Sequence, residues 1–241
     1  MRPIDRKDSP QDEDFENYRD AFPDLVSRLG FYCSYCERRI ATNLAVEHIQ
    51  PKNLLQYEHL VGRWDNFLLG CVNCNSTKSK RDVVFDELLL PDRDNTGHAY
   101  HYNEDGTIEI SDLLSADQAV LAEKTLWLTG LDKPISEVED ENGQLVAVDR
   151  VGQRMETWLI ALMSRDELDA SPSDGLRRQV VLTALAHGYF SIWMSVFSDD
   201  VEMRTRFVNE FPGTATDCFD AVTLTTVSPR PDNGLDGASK V

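Results

Sequence analysis

The sequence predicts an α+β protein in which a small, cysteine-stapled core is followed by a mainly α-helical C-terminal region. Two C-x-x-C pairs, Cys33/Cys36 and Cys71/Cys74, enclose the core segment. Within that segment short apolar runs alternate with polar turns, which indicates two short strands joined by long connections. Beyond residue 150 the apolar residues return to helical spacing.

The chain before and after the core divides into four further segments. Residues 1–13 are polar and are expected to be loose. Apolar spacing from Phe15 to Leu29, ended by Gly30, then predicts an N-terminal helical lead over residues 1–30. The core occupies residues 31–85.

Residues 86–135 are expected to form a hairpin and helix extension. Turn residues separate the runs 99–102 and 107–110, which predicts a small hairpin. A Ser115-x-x-Gln118 capping box and Gly130 bound a helix over 115–128.

Residues 136–227 form the helical C-terminal region, and residues 228–241 its tail. Apolar spacing predicts helices over 150–168, 176–197 and 199–211. The tail begins Ser-Pro-Arg-Pro-Asp-Asn-Gly, a composition that predicts disorder.

The composition is that of an acidic globular protein. The 241 residues include 24 Lys and Arg against 42 Asp and Glu, a net charge of −18, and 41% are hydrophobic. This balance argues against a general polyanion binder, yet residues 31–81 hold seven basic and four acidic side chains.

No apolar run follows Met1, so we expect a cytoplasmic protein. The four tryptophans, Trp127 among them, are expected in the core.

The cysteine spacing favours a structural metal site. The two C-x-x-C pairs, or knuckles, supply four soft thiolate ligands for one tetrahedral zinc ion, Zn²⁺. A redox interpretation needs only one pair and leaves the other unexplained. The fifth cysteine, Cys218, is expected to be a small buried or half-buried residue. The 34 residues between the pairs exceed the gap of a simple zinc ribbon, so further structure must lie between them.

That gap, together with the residues just after the second pair, contains a set of residues suited to hydrolysis. Glu47-His48 is followed by Pro51-Lys52, by Asn66, and by Cys-Asn-x-x-Lys at Cys74 to Lys78. Taken alone, Glu47-His48 has a plain alternative as part of a surface strand, where neighbouring side chains point to opposite faces. The combination of all four features makes coincidence a poor explanation.

In this combination, residues 33–78 resemble the HNH nucleases (His-Me finger, ββα-metal), in the subgroup stapled by four cysteines. The resemblance implies two antiparallel strands and a helix around one divalent ion, with the zinc knuckle clamping the ends. It implies that His48 is the general base and that Asn66 orients the loop that carries it. Glu47 and Asn75 would ligate a catalytic Mg²⁺ or Mn²⁺. Neighbouring phosphates of DNA would be held by Lys52, Lys78, Lys80 and Arg81.

Later motifs extend the resemblance to the HNH component (PtuB-like) of Septu and retron-associated anti-phage systems, which works beside an ABC-type ATPase. These motifs lie at residues 64–69, 88–95, 105–106 and 129–132. The resemblance thus implies a DNA endonuclease that acts as the effector of a bacterial defence system with an ATPase partner.

Two other interpretations remain open at the level of sequence. The chain could be a zinc-knuckle module that binds nucleic acid or protein without cleavage, although such a module has no need of Glu47, His48, Asn66 and Asn75 together. Alternatively, the acidic helical region could hold a nuclease inactive until an ATPase partner releases it.

Overall fold

A two-stranded antiparallel hairpin with a helix attached forms the predicted core. The structure is a computed structural model and describes residues 1–133, 135–139 and 145–241. Strand β1 (Leu44–His48) pairs with β2 (Phe67–Cys71), from Leu44 opposite Cys71 to His48 opposite Phe67. Every residue of β2 is buried, as its continuous apolar run predicts.

Helix α1 (Phe22–Leu29) precedes this hairpin and helix α2 (Val72–Lys78) follows it directly. The remaining elements, in chain order, are α3 (Thr96–Ala99), β3 (Tyr100–Tyr102), β4 (Ile108–Ile110), α4 (Ala116–Thr129), β5 (Ile135–Glu139), β6 (Leu145–Asp149), α5 (Arg150–Ala170), α6 (Asp174–His187), α7 (Phe190–Val196) and α8 (Val201–Glu210). Short 3-10 helices lie at Tyr18–Ala21, Leu55–Leu60, Trp64–Asn66, Phe85–Glu87 and Thr216–Cys218. No helix in the described ranges is long and apolar enough to span a membrane.

The predicted hairpin and helix extension is present. Strands β3 and β4 pair antiparallel, and the Ser115–Gln118 capping box opens α4 as expected. Gly130 ends α4 in a left-handed conformation, with φ of 62°. A third hairpin, β5–β6, which the sequence analysis did not anticipate, precedes the long helices.

Four helices confirm the helical character of the C-terminal region, but one predicted helix is divided. The stretch 176–197 breaks between α6 and α7, where Gly188 and Tyr189 both have positive φ. Gly188 forms a β-bridge to Arg38, and a Cβ on it would lie 2.6 Å from the Glu37 carbonyl oxygen. The break is therefore the point at which the C-terminal helices contact the first cysteine knuckle.

Both chain ends are packed, which corrects two expectations. In the segment expected to be loose, Ile4 and Arg6 are buried. In the tail expected to be disordered, the buried Arg230 donates to the carbonyls of Pro91 and Ile4, at 3.1 and 3.0 Å. Lys240 forms an ion pair with the buried Asp94 at 3.1 Å. The polar tail is ordered because it supplies partners to buried polar groups in the turn 91–95.

Candidate active site

The four core cysteines converge on one point. Their sulfur atoms all lie within 4.8 Å of one another, and Cys36 Sγ is 3.8 Å from Cys71 Sγ. A tetrahedral zinc with bonds of about 2.3 Å requires sulfur atoms about 3.8 Å apart. The Cys71 and Cys74 amides also point at sulfur atoms of the cluster, at 3.4 and 3.5 Å. The donor set and its spacing therefore fit a structural zinc ion.

The same amide contacts explain where α2 begins. The helix starts at Val72 because the Cys71 side chain accepts the Cys74 N–H as an N-cap. The second knuckle is thus the first turn of α2, which fixes the helix to the cluster.

Two arginines lie close enough to the cluster to compensate its charge. Burial alone would lower the pKa of the Arg38 guanidinium, but the negative charge of the Cys36 and Cys71 thiolates outweighs it and raises that pKa. Arg150, at the start of α5, is affected in the same way by burial and by the Cys74 and Cys36 thiolates. A cationic side chain of the C-terminal region therefore takes part in balancing the metal site of the core.

His48 is at the end of β1 in an oriented, neutral state. Its Nε2 lies 3.0 Å from the Val61 carbonyl oxygen, an acceptor, so Nε2 carries the proton and Nδ1 has the lone pair. Burial lowers the pKa of the imidazole to about 4, and the charges of Lys52 and Lys78 act in the same direction. The ring is therefore uncharged at neutral pH, the state a general base requires.

Asn66 fixes the chain immediately after His48. The buried carboxamide accepts the Gln50 N–H at 2.7 Å and donates to the Gln50 carbonyl at 3.1 Å. The backbone oxygen of Asn66 also accepts the Ile49 N–H, at 2.9 Å. The structure thus brings Asn66 to the loop that the sequence analysis expected it to orient.

Glu47 lies on the other face of β1 from His48, because the β1–β2 pairing is regular. Its carboxylate faces α2, where Glu47 Oε1 is 2.9 Å from Lys78 Nζ. Both side chains are 2% exposed. Burial raises the pKa of the Glu47 carboxyl, and Lys78 opposes that rise. Lys78 also donates to the His48 carbonyl at 2.8 Å, so it ties α2 to the end of β1.

This position corrects the expectation that Lys78 contacts a substrate phosphate. The ammonium is buried against Glu47 and the backbone, where it cannot face solvent. The other three predicted cations differ among themselves. Lys80 is exposed, and Lys52 donates to the Tyr18 hydroxyl at 2.8 Å. Arg81 stacks on Trp127, its Cζ 4.1 Å from the ring centroid.

Asn75, the remaining predicted ligand, is exposed on α2, three residues before Lys78. Trp127, which was expected in the core, is 58% exposed and forms the platform for Arg81. That prediction was wrong because the indole is stabilised by an arginine at the surface instead of by apolar neighbours.

Sequence reasoning missed Tyr18, which packs directly on His48. The two ring centroids are 4.7 Å apart and the rings meet edge-on, while Phe67 contacts the imidazole from β2 at 5.2 Å. The Lys52 ammonium lies 3.9 Å from the centroid of the Tyr18 ring. Nothing local in the sequence marks this contact, because it joins the N-terminal lead to the end of β1, 30 residues further along the chain.

We predict that the cluster holds one zinc ion per chain and that the fold depends on it. Cys36→Ser removes one thiolate, so zinc content should fall close to zero and cooperative unfolding in urea should be lost. Zinc is measured by inductively coupled plasma mass spectrometry. The matched control is Cys218→Ala, a buried cysteine outside the cluster, which should retain zinc. Equal zinc content in both variants would contradict the assignment.

We also predict that the Lys78–Glu47 ion pair is a major stabilising contact of the core. Lys78→Met leaves a buried carboxylate without its cation, so the free energy of unfolding should fall by about 3 kcal/mol or more. Adding Glu47→Gln to that variant should recover part of the loss, since it removes the uncompensated charge. The exposed Lys80→Met is the control, with a change within about 0.5 kcal/mol. Similar losses for Lys78→Met and Lys80→Met in urea unfolding would refute this prediction.

Comparison with known proteins agrees with the geometry of this region. Residues 33–81 match the family model described as HNH endonuclease. No curated protein matches the chain. The matched segment contains the four cysteines together with Glu47, His48, Asn66 and Asn75. An HNH endonuclease domain in this segment indicates a nuclease, that is, a phosphodiester hydrolase.

Proposed function

We propose that this protein is a divalent-metal-dependent endonuclease that hydrolyses phosphodiester bonds of DNA, with His48 as the general base. The observation that carries the proposal is the state of the His48 ring. Its Nε2 is held by the Val61 carbonyl, which leaves Nδ1 as the acceptor, within a segment that matches the HNH endonuclease model. The Asn66 carboxamide forms two hydrogen bonds with the Gln50 backbone, which supports a fixed position for the imidazole ring of His48.

In the proposed reaction His48 Nδ1 accepts a proton from a water molecule as its oxygen attacks the phosphorus atom. The bond between phosphorus and the 3′ oxygen breaks, and that oxygen gains a proton from solvent. The products are a 5′-phosphate and a 3′-hydroxyl. A neutral, oriented base in such a position contributes on the order of 10²–10⁴ in rate.

Glu47 and Asn75 would hold the catalytic ion. Both offer oxygen donors, which suit Mg²⁺ or Mn²⁺ better than zinc. In this structure the carboxylate is paired with Lys78 on the face of β1 opposite His48, so binding of the ion requires that ion pair to open. When bound, such an ion polarises the scissile phosphate and stabilises the leaving oxygen.

Lys52, Lys80 and Arg81 remain the candidates for contacts to neighbouring phosphates. Lys80 is exposed and Lys52 lies beside Tyr18 at the His48 pocket. Contacts of this kind position a nucleic acid without reading its sequence, so we expect weak sequence preference.

One observation favours a second candidate, a zinc-knuckle binding module that does not cleave. His48 is only 6% exposed, and the Tyr18 ring packs against it. A base in use must reach water, so a nuclease requires Tyr18 to shift when substrate binds. A binding module requires no such movement.

The proposed activity predicts a loss of cleavage when the His48 imidazole is removed. With Mg²⁺ or Mn²⁺, His48→Ala should nick supercoiled plasmid at least about 100-fold more slowly than the wild type at equal zinc content, because no general base remains. The matched control is His101→Ala, an exposed histidine on β3, which should cleave normally. Undiminished cleavage by His48→Ala would exclude the role of His48, and absence of cleavage by the wild type would favour the binding module.

We further propose that the nuclease is the effector of a bacterial anti-phage system and acts with an ABC-type ATPase in the cytoplasm. The support is the resemblance of the motifs at residues 64–69, 88–95, 105–106 and 129–132 to the HNH component of Septu and retron-associated systems. The helical region contacts the core at the first cysteine knuckle, where Gly188 bridges Arg38, whereas His48 lies at the end of β1 away from Cys71 of the second knuckle. This favours a role for the helices in docking a partner over direct coverage of His48.

This proposal predicts that an ATPase partner changes the nuclease rate. Addition of an ABC-type ATPase that co-purifies with this protein, with ATP, should raise plasmid cleavage by the chain at least about tenfold. The increase should disappear with an ATPase variant unable to bind ATP. An unchanged rate with a partner that co-purifies with the chain would contradict a regulatory role for that partner.

A further inference from the structure

A polar cleft lies at the opposite end of the β1–β2 hairpin from His48. It has a volume of about 550 Å³, within the range of small-ligand pockets. The turn after the first knuckle forms one wall and helix α5 with the α6–α7 junction forms the other. The lining residues used below are Arg38, Arg39, Asn43, Asn73, Gln153 and Glu156. Strand β1 separates Asn43 from His48 by about 16 Å.

The cleft continues into a recess beside the cysteine cluster. The recess has a volume of about 10 Å³, enough for about one oxygen atom. It shares Arg38, Asn73 and Gln153 with the outer cleft, and it is also lined by Arg150 and Arg154 of α5. Three guanidinium groups thus line one small space.

Several buried donors around this recess have no acceptor in the part of the chain that the structure describes. They are Asn73 Nδ2, Arg38 Nε, Arg150 Nη2 and Arg154 Nη2. Asn73, Arg150 and Arg154 are 2%, 4% and 3% exposed, so water outside the cleft does not satisfy them. Leaving one such donor unpaired costs about 1–3 kcal/mol, and more when the group is charged. Four unpaired donors around one small space indicate a bound group that carries several hydrogen-bond acceptors.

The remaining bonds of these side chains hold the donors in place. Arg38 donates to Gln153 Oε1 at 3.2 Å and to Asn73 Oδ1 at 3.3 Å. Arg150 donates to the Gly130 carbonyl at 2.9 Å, and Arg154 to the Leu131 carbonyl at 3.1 Å. The donors are therefore preorganised and do not have to be ordered by a ligand.

The net charge of the cysteine cluster and the surrounding arginines is positive, which favours binding of an anion. Four thiolates and one zinc ion carry a charge of −2, whereas Arg38, Arg150 and Arg154 carry +3. Arg39 adds a further positive charge at the exposed rim, opposed there by Glu156. In a chain with a net charge of −18, four arginines around one cleft favour an anionic ligand with several acceptor oxygens.

We propose that this cleft binds a nucleotide phosphate, with a phosphate oxygen in the arginine recess and the nucleoside in the outer cleft. The phosphate group supplies the acceptors that the buried donors lack, and the volume of the outer cleft accommodates a base and a sugar. The site is separate from the His48 pocket and does not depend on the nuclease activity. The phosphate comes from a free nucleotide or from the 5′ end of a nucleic-acid strand.

Isothermal titration calorimetry on the full-length, zinc-loaded chain tests this site without added divalent metal. The probes are inorganic phosphate, a nucleoside monophosphate, a nucleoside triphosphate, and an oligonucleotide with or without a 5′-phosphate. Arg39→Ser removes the rim cation. Asn73→Asp keeps the acceptor for Arg38 and replaces the unpaired donor by a carboxylate oxygen. Each variant should weaken nucleotide binding at least about tenfold while retaining zinc.

Two controls separate this cleft from other cationic sites. Arg178→Ser removes an arginine that is 66% exposed on α6 and is not a lining residue of the cleft, and His48→Ala alters the other end of the hairpin. Both should bind the nucleoside monophosphate and the nucleoside triphosphate as the wild type does. Binding of the 5′-phosphorylated strand alone, with the same sensitivity to Arg39→Ser and Asn73→Asp, would support the site and identify the strand end as its source. The proposal is overturned by absence of binding at millimolar probe, or by binding that neither variant weakens.

Discussion

The convergence of four thiolates on one point is the constraint on which the rest of this structure depends. The two knuckles are separated by 34 residues that contain both strands and the His48 loop. A metal bound by Cys33, Cys36, Cys71 and Cys74 fixes the two ends of that segment together, so the hairpin between them has few alternative arrangements. The second knuckle also begins α2, and the helix therefore carries Lys78 to the buried Glu47. The cysteine cluster thus fixes the positions of the side chains on both faces of β1.

Buried charges in this core lie beside groups of opposite charge, and the side chains that supply those groups also connect separate elements of the fold. Lys78 neutralises Glu47 and bonds the His48 carbonyl, which connects α2 to the end of β1. Arg150 lies beside the cysteines while it donates to carbonyls at the end of α4, so the helical region is attached through the metal site. The C-terminal helices are consequently part of the structure around the knuckle and not an independent appendage.

The sequence predicted the chemistry of the core more completely than its surroundings. Cysteine spacing and apolar runs are local signals, so the cluster, the two strands and the capping box of α4 followed from them. The burial of Lys78 did not, because a lysine on a short helix is ordinarily solvated and only the tertiary position of Glu47 draws it inward. Tyr18 over His48 and the ordered tail on Asp94 were missed for the same reason, since both depend on contacts between segments distant in the chain. The split of 176–197 was signalled by Gly188 alone.

The most direct test of this account is a crystal structure of the protein with Mn²⁺ and an uncleavable oligonucleotide, with anomalous diffraction measured at the zinc and manganese edges. The account predicts a zinc peak equidistant from the four cysteine sulfur atoms and a manganese peak beside Glu47 and Asn75. A phosphate should then lie on the Nδ1 side of His48, with Tyr18 displaced from the ring. Disulfides in place of the zinc peak, or manganese bound away from Glu47 while the phosphates avoid His48, would contradict the central claim that the thiolate cluster presents a nuclease site at the end of β1.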